Sequence, residues 1–313
     1  MVAEDFIGLT GPSYHVEVER GRIRDFARAM LAPLPEFLEP SDPVIPATFL
    51  ATAQYSWGYS LERPRGTVFS QIDHDLSVPL HATEEYTFHG PLPRAGETLR
   101  AQSEVECVER KSGARGGDLT FITVVTSYRD SEGELVAEQR ATTVTTENAP
   151  EDEGWSAQPP LYEPSYQSLD PTDPFAGVER ADWGALDVGA SPGDVTTGPL
   201  LMGDIVRFQG VIGEDNPLHH DTAFAASHGY PAVFGLGMHQ ASALAGYAAH
   251  WFDPVGVRSF KATFRDVYWP GDILTYGGRV TEVRPGEADL RLECRRNGGE
   301  PLVEVAMVVM ETG

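Results

Sequence analysis

The sequence predicts an α+β fold in which one unit, a helix wrapped by antiparallel strands, occurs twice. Three observations predict it. In each half, segments of helical apolar spacing are followed by a run of period-two strands. Two short segments of the first half are echoed in the second. Between the halves lies a stretch rich in proline and acidic residues, with little regular pattern. The units are therefore placed at residues 1–147 and 199–313, with a connector at 148–198. A chain of 313 residues suits two domains of about 150 residues each.

The first unit opens with a helix from Val16 to Leu31. Ile23, Phe26, Ala27, Met30 and Leu31 fall on one face, and Pro33 and Pro35 end it. Pro46 suits a helix start, so a second helix is expected to run to about Ser60. Strands follow at Glu84–His89, Thr98–Glu109, Leu119–Tyr128 and Leu135–Thr146, the last two entered through glycine-containing turns. In the connector, Trp155, Tyr162, Tyr166 and Trp183 predict packing against the units rather than free chain. The second unit has helices at Gly203–Ile212 and Thr222–His228. A longer one begins near Gly237 and buries Met238, Ala241, Leu244, Ala245 and Ala248. Its strands are expected at Val257–Val267, Ile273–Val283, Glu287–Arg295 and Leu302–Met310. The repeat shows where Gly21–Phe26 is echoed by Gly203–Phe208, and Pro93–Leu99 by Trp269–Leu274. One long central helix wrapped by antiparallel sheet is the hotdog architecture, so two copies make a double hotdog.

Composition narrows the function. With 41% hydrophobic residues the chain can bury ordinary cores. No apolar run reaches the ~18 residues of a membrane span, and the N-terminus lacks the pattern of a signal peptide. Cys107 and Cys294 lie far apart in strand-like patterns and read as buried free thiols, which fits a reducing, cytoplasmic setting. A formal charge of -24 argues against a nucleic-acid partner. An anionic ligand would need local basic residues, and Lys261 and Arg265 are the candidates.

The chemistry is concentrated in one stretch, Gly213-Glu214-Asp215-Asn216-Pro217-Leu218-His219-His220-Asp221. Ile205, Phe208, Gln209 and Ile212 form a helical face before it. Asn216-Pro217 signals a turn, and Asp221 is a good N-cap for the helix that follows. The turn thus holds a carboxylate and an imidazole in fixed relation, a pair suited to acid–base work on water. His220 is expected to face solvent, and His239 to be packed or hydrogen-bonded. His81 and His89 read as structural. No Gly-x-Ser-x-Gly elbow, phosphate loop or zinc spacing is present, so no metal is expected.

This stretch resembles the active-site motif of the MaoC-like dehydratases, the (R)-specific enoyl-CoA hydratase family. Gly213, Asn216, Pro217, His219, Asp221, Phe224 and Ala225 match in register. Glu214 stands where the family has its catalytic aspartate. The first half looks like the family's N-terminal domain, through Ile45–Phe49, Leu80-His81 and the segment from Tyr86 to Leu99.

The resemblance implies a double hotdog hydro-lyase. It would add water to a trans-2-enoyl thioester, carried on CoA or an acyl-carrier protein, and give a (3R)-hydroxyacyl product without a cofactor. Carried over, Glu214 and His219 are the acid–base pair. Gly237, at a helix start, supplies the N–H for the thioester oxygen, and Asn216 and Asp221 support the turn. The half without the motif is expected to widen the cleft for bulky acyl groups. Three outcomes stay open at Glu214: it works in place of aspartate, Asp215 takes over, or the site binds without hydrating. A hotdog thioesterase, a tailoring dehydratase and a non-catalytic binding subunit are the competing functions. Hotdog sheets often pair edge to edge, so a homodimer is an expectation, although two units in one chain already meet that need.

Overall fold

In the computed structural model the described residues are 6–57, 68, 80–112, 118–146, 159–160, 173–296 and 298–312. The first half contributes β1 (Tyr14–Glu17), β2 (Leu80–Phe88), β3 (Thr98–Ser112), β4 (Asp118–Arg129) and β5 (Leu135–Thr146). The second contributes β6 (Val195–Thr197), β7 (Val257–Phe264), β8 (Leu274–Arg284), β9 (Glu287–Arg296) and β10 (Pro301–Met310). Among the described residues these form one antiparallel sheet in the order β1-β3-β4-β5-β2-β7-β10-β9-β8-β6. Read inward from either edge, the order passes through equivalent strands and meets at the β2–β7 pair, where Thr83 faces Thr263 and Glu84 faces Ala262. The duplication expected from sequence is thus built as a single continuous sheet.

The echoed segments occupy equivalent places. Gly21–Phe26 lies in α1 (Arg20–Ala29) and Gly203–Phe208 in α4 (Met202–Ile212). Ile23, Phe26, Ile205 and Phe208 are all buried, and the rings of Phe26 and Phe208 meet at 5.8 Å between the halves. The second echo is a turn into β3 and β8. Its glycines, Gly96 and Gly271, have φ of 96° and 93°, the left-handed region that glycine enters without a Cβ penalty. Each donates its N–H to an equivalent carbonyl, Val18 at 2.9 Å and Leu200 at 2.7 Å.

The central helix of the second half is α6 (Gly237–Trp251), buried from Met238 to Trp251. Small residues on it let the sheet approach closely. The first half departs from expectation. Residues 14–17 form β1, not the start of a helix: Tyr14 and Val16 point inward, His15 and Glu17 outward, and the strand pairs with β3. The α2 turn (Pro35–Leu38) follows α1. The helix expected from Pro46 is also shorter. Ile45 is extended before Pro46, and its N–H donates to the Pro93 carbonyl. A 3-10 turn at Phe49–Thr52 and α3 (Ala53–Ser56) are the described helical part, and residues 58–60 of the expected helix lie outside the described residues. The two central segments touch through Thr48 Oγ1, which donates to Ser242 Oγ at 2.9 Å.

The described part of the connector packs on α6. Phe175 meets Tyr247, His250 and Tyr276 edge-on, and Trp183 meets Phe252 at 5.4 Å. Trp155, Tyr162 and Tyr166 lie outside the described residues. The connector's last residues form β6, paired with β8. Cys294 is buried, while Cys107 is only half-buried. Among the described residues no helix is long and apolar enough to cross a membrane.

Candidate active site

α4 ends at Gly213, whose φ of 85° is the left-handed helix cap that favours glycine. The chain then passes Glu214 and Asp215 into a 3-10 turn, Pro217–His219. Asn216 caps that turn, its side-chain oxygen accepting from the Leu218 N–H at 3.1 Å. Asp221 caps α5 (Thr222–Ser227) by accepting from the N–H groups of Ala223 and Phe224. Gln209, on the buried face of α4, donates to the Asn216 carbonyl at 3.0 Å. Its Oε1 lies 3.0 Å from Nδ1 of the exposed His220. These caps and this brace fix the backbone on both sides of His219.

His219 is 7% exposed, and its Nδ1 lies 2.8 Å from the Phe234 carbonyl oxygen. A carbonyl only accepts, so Nδ1 carries a proton, and in the neutral ring Nε2 holds the lone pair. Nε2 stands 3.6 Å from Glu214 Oε1. That is too long for a direct hydrogen bond, but one oxygen atom seated about 2.8 Å from each group fits beside the pair.

The loop that holds His219 leads straight to a backbone donor. After Phe234, the Gly235 N–H donates to the Tyr268 carbonyl at 3.0 Å. A Cβ on Gly235 would come within 1.8 Å of the buried Tyr268 ring, so only glycine fits. Gly237 opens α6, and its N–H is therefore one of those a helix leaves without an intrahelical partner. It sits at the positive end of the helix dipole. A Cβ there would stand 2.6 Å from Phe264 Cδ1.

Residues of the first half, which no motif marks, press on the same turn. A Cβ on Gly213 would lie 3.2 Å from Tyr55 Cβ and 3.1 Å from Ser56 Oγ. Arg22 reaches across to donate to the Val211 carbonyl at 2.9 Å and to Ser56 Oγ. Burial first, then the charge of Glu214, pushes the Tyr55 phenol well above its ordinary pKa, so it stays protonated beside the motif. Gln209 was legible only as part of a helical face. A polar residue at a buried helical position needs partners, and that was its signal.

The other candidates fall elsewhere. Asp215 is exposed. Lys261 and Arg265 are exposed and ion-paired, to Glu85 at 2.8 Å and Glu304 at 2.5 Å. Lys261 lies on the face of β7 opposite Phe260 and Ala262, which are buried, and the structure does not bring either cation to Glu214 and His219. His239 is fully buried, stacked on Phe208 at 4.8 Å, with Nδ1 2.9 Å from the Tyr268 hydroxyl. Burial lowers its pKa to about 4, so it is a neutral packing group. His89 pairs with Glu138 at 2.9 Å. Among the described residues no group of three or more His, Cys, Asp or Glu side chains has metal-holding geometry.

Residues 186–295 match the model of the MaoC-like domain, and residues 5–139 that of the FAS1-like dehydratase domain region. The second half is thus similar to the MaoC-like domain, and the first to the FAS1-like dehydratase domain region. Three solved structures share the architecture. One described as a MaoC-like dehydratase superposes with a TM-score of 0.77 at 22% identity, covering 99% of this chain and 100% of that one. A MaoC-like dehydratase from Phytophthora capsici does so at 0.68 and 15% identity, covering 100% of both chains. A Mycobacterium tuberculosis protein described as having a double hotdog fold reaches 0.59 at 15% identity, covering 98% of this chain and 96% of that one. At these identities the likeness concerns the fold, and the MaoC-like domain here is one half of a double hotdog. No functionally curated protein matches the sequence.

Proposed function

We propose that the chain reversibly hydrates a trans-2-enoyl thioester to the (3R)-hydroxyacyl thioester, with Glu214 and His219 as the working pair. The observation that carries this reading is His219 held through Nδ1 by the Phe234 carbonyl, with Nε2 facing a carboxylate at 3.6 Å. A water touching both groups gives its proton to Nε2 as its oxygen bonds to C3 of the enoyl chain. Electrons move from the C2–C3 double bond onto the thioester oxygen, which the Gly237 N–H and the dipole of α6 stabilise as it gains charge. The imidazolium then returns the proton to C2, and the thioester carbonyl re-forms. Glu214 orients the water and stabilises the imidazolium. Water is the only co-substrate, and the stereochemistry follows the family. CoA or an acyl-carrier protein presents the acyl group.

The test is loss of conjugated enoyl absorbance with crotonyl-CoA and a longer trans-2-enoyl-CoA. It is run on the wild type, Glu214→Gln and His219→Ala. Activity that collapses in both variants supports the assignment. Release of free CoA without hydration would replace it with thioester hydrolysis.

A further inference from the structure

His81 belongs to the half without the motif, yet it is built like a working residue. The register of β2 against β5 shifts between His81 and Thr83, and such bulges re-aim a side chain. Here the bulge turns His81 to the side of Glu84, and its Nε2 lies 2.8 Å from Glu84 Oε2. Glu84 is 1% exposed, which is unusual for a carboxylate on a strand. Its other oxygen accepts from Gln139 Nε2 at 2.6 Å, and Gln139 Oε1 accepts from the Tyr128 hydroxyl at 2.5 Å. Three side chains on three strands thus orient one imidazole, the arrangement in which a buried carboxylate fixes a histidine's tautomer. A carboxylate accepts, so Nε2 carries the proton, and in the neutral ring Nδ1 is the acceptor. The side chain of His81 is 32% exposed, and among the described residues no hydrogen bond engages Nδ1. The ring packs on Phe264 at 4.6 Å, and Phe264 lies against the backbone of Gly237. His81 therefore stands one aromatic ring away from the donor assigned to the thioester oxygen.

We propose that His81, oriented by Glu84, is a substrate-binding residue beside the Gly237 N–H, and that its Nδ1 accepts a hydrogen bond from the pantetheine amide N–H nearest the sulfur. That N–H lies two methylenes beyond the thioester sulfur, on the side of the carbonyl away from the reacting carbons. It is common to CoA and to carrier-protein thioesters, so one residue serves either source. The proposal rests on the hydration reading above and assigns the first half a direct part in it.

The experiment compares kcat/KM for the N-acetylcysteamine thioester of crotonate with that for its analogue carrying CH2 in place of the amide N–H. In the wild type the amide is expected to raise kcat/KM about fivefold, the worth of one ordinary hydrogen bond, chiefly through KM. His81→Gln keeps a donor for Glu84 but loses the acceptor at the Nδ1 position, so the ratio should fall to about one. His81→Asn places an oxygen near the Nδ1 position and should retain most of the ratio. His81→Ala should behave as His81→Gln, and equal urea midpoints establish that the variants are folded. A wild-type ratio near one, or an unchanged ratio in His81→Gln, overturns the proposal while leaving the hydration reading intact. If the wild type hydrates neither thioester nor crotonyl-CoA, the hydration reading has failed and the proposal falls with it. A His81 effect of the same size on crotonyl-CoA and on a crotonyl carrier protein supports the shared arm, and the larger kcat/KM names the source.

Discussion

Replacing Glu214 by aspartate restores the residue that the motif's relatives carry, and it is expected to slow this protein. The wild-type carboxylate reaches His219 Nε2 to 3.6 Å with the full length of a glutamate side chain. The backbone cannot advance to compensate. Gly213 closes α4 in a left-handed cap, and the space beside it is filled by Tyr55 and Ser56. His219 cannot advance either, because Nδ1 is tied to the Phe234 carbonyl. Removing one methylene therefore withdraws the carboxylate by roughly 1 Å, and a misplacement of that size costs on the order of a hundredfold in rate. In free energy that is about 2.7 kcal/mol. Initial rates of enoyl loss should show kcat of Glu214→Asp about a hundredfold down with KM little changed, because the lost interaction is one with the attacking water. Glu214→Gln, which keeps the length and loses the charge, should fall at least as far. An aspartate variant as fast as the wild type would refute the reasoning, since the reach of Glu214 would then not matter to the rate.

On the proposed acid–base role, His219→Gln should lose at least about a thousandfold in kcat, while its urea midpoint stays near wild type because the caps around it remain. Gly235→Ala should destabilise by about 3 kcal/mol or more, read as a lowered urea midpoint, since its Cβ would meet the buried Tyr268 ring. Gly237→Ala meets the edge of Phe264 instead and should fold, but with a raised KM as the acyl thioester is kept from the backbone. His239 has a folded pKa of about 4 against an ordinary 6.5. Between those values the unfolded chain takes a proton that the folded chain refuses, so stability falls as pH drops from 6.5 to 4, by on the order of 2–3 kcal/mol. Urea midpoints should fall over that window in the wild type and less in His239→Gln, and equal slopes would show that another group is responsible.

What the sequence made legible was local. Asp221 and Asn216 act as caps because each bonds to an N–H two or three residues away. The helical face of α4 and the alternation of β3, β4, β9 and β10 are likewise short-range patterns, and they were read correctly. The misreadings share a cause. β1 is four residues long and is a strand only because β3 lies beside it. The helix expected from Pro46 opens as a 3-10 turn, and Thr48 before it bonds across to Ser242 of the other half. Tyr55, Ser56 and Arg22 touch the motif turn from the other half of the chain, and nothing in their own neighbourhood announces it. Glu84 looks like one more acid on an alternating strand until Gln139 and His81 close over it.

The two halves also exchange their turns. α1 leaves through Leu31 in the left-handed region, at a φ of 63°, and the chain after it packs on the second half's central helix, where a Cβ on Gly246 would stand 2.7 Å from Ala32 Cβ. α4 leaves through Gly213 in the same conformation and packs on α3 of the first half. The exchange is reciprocal in geometry and unequal in chemistry. At the first turn a leucine accepts backbone strain of about 1 kcal/mol, and the residues that follow, Ala32 and Pro33, carry no titratable group. At the second, glycine removes the strain and the residues that follow are an acid and a histidine. A duplicated fold with one such turn per half has two places for a site. Only the turn that rests on α3 carries a carboxylate and an imidazole, and so the half without the motif forms the floor under the half that has it.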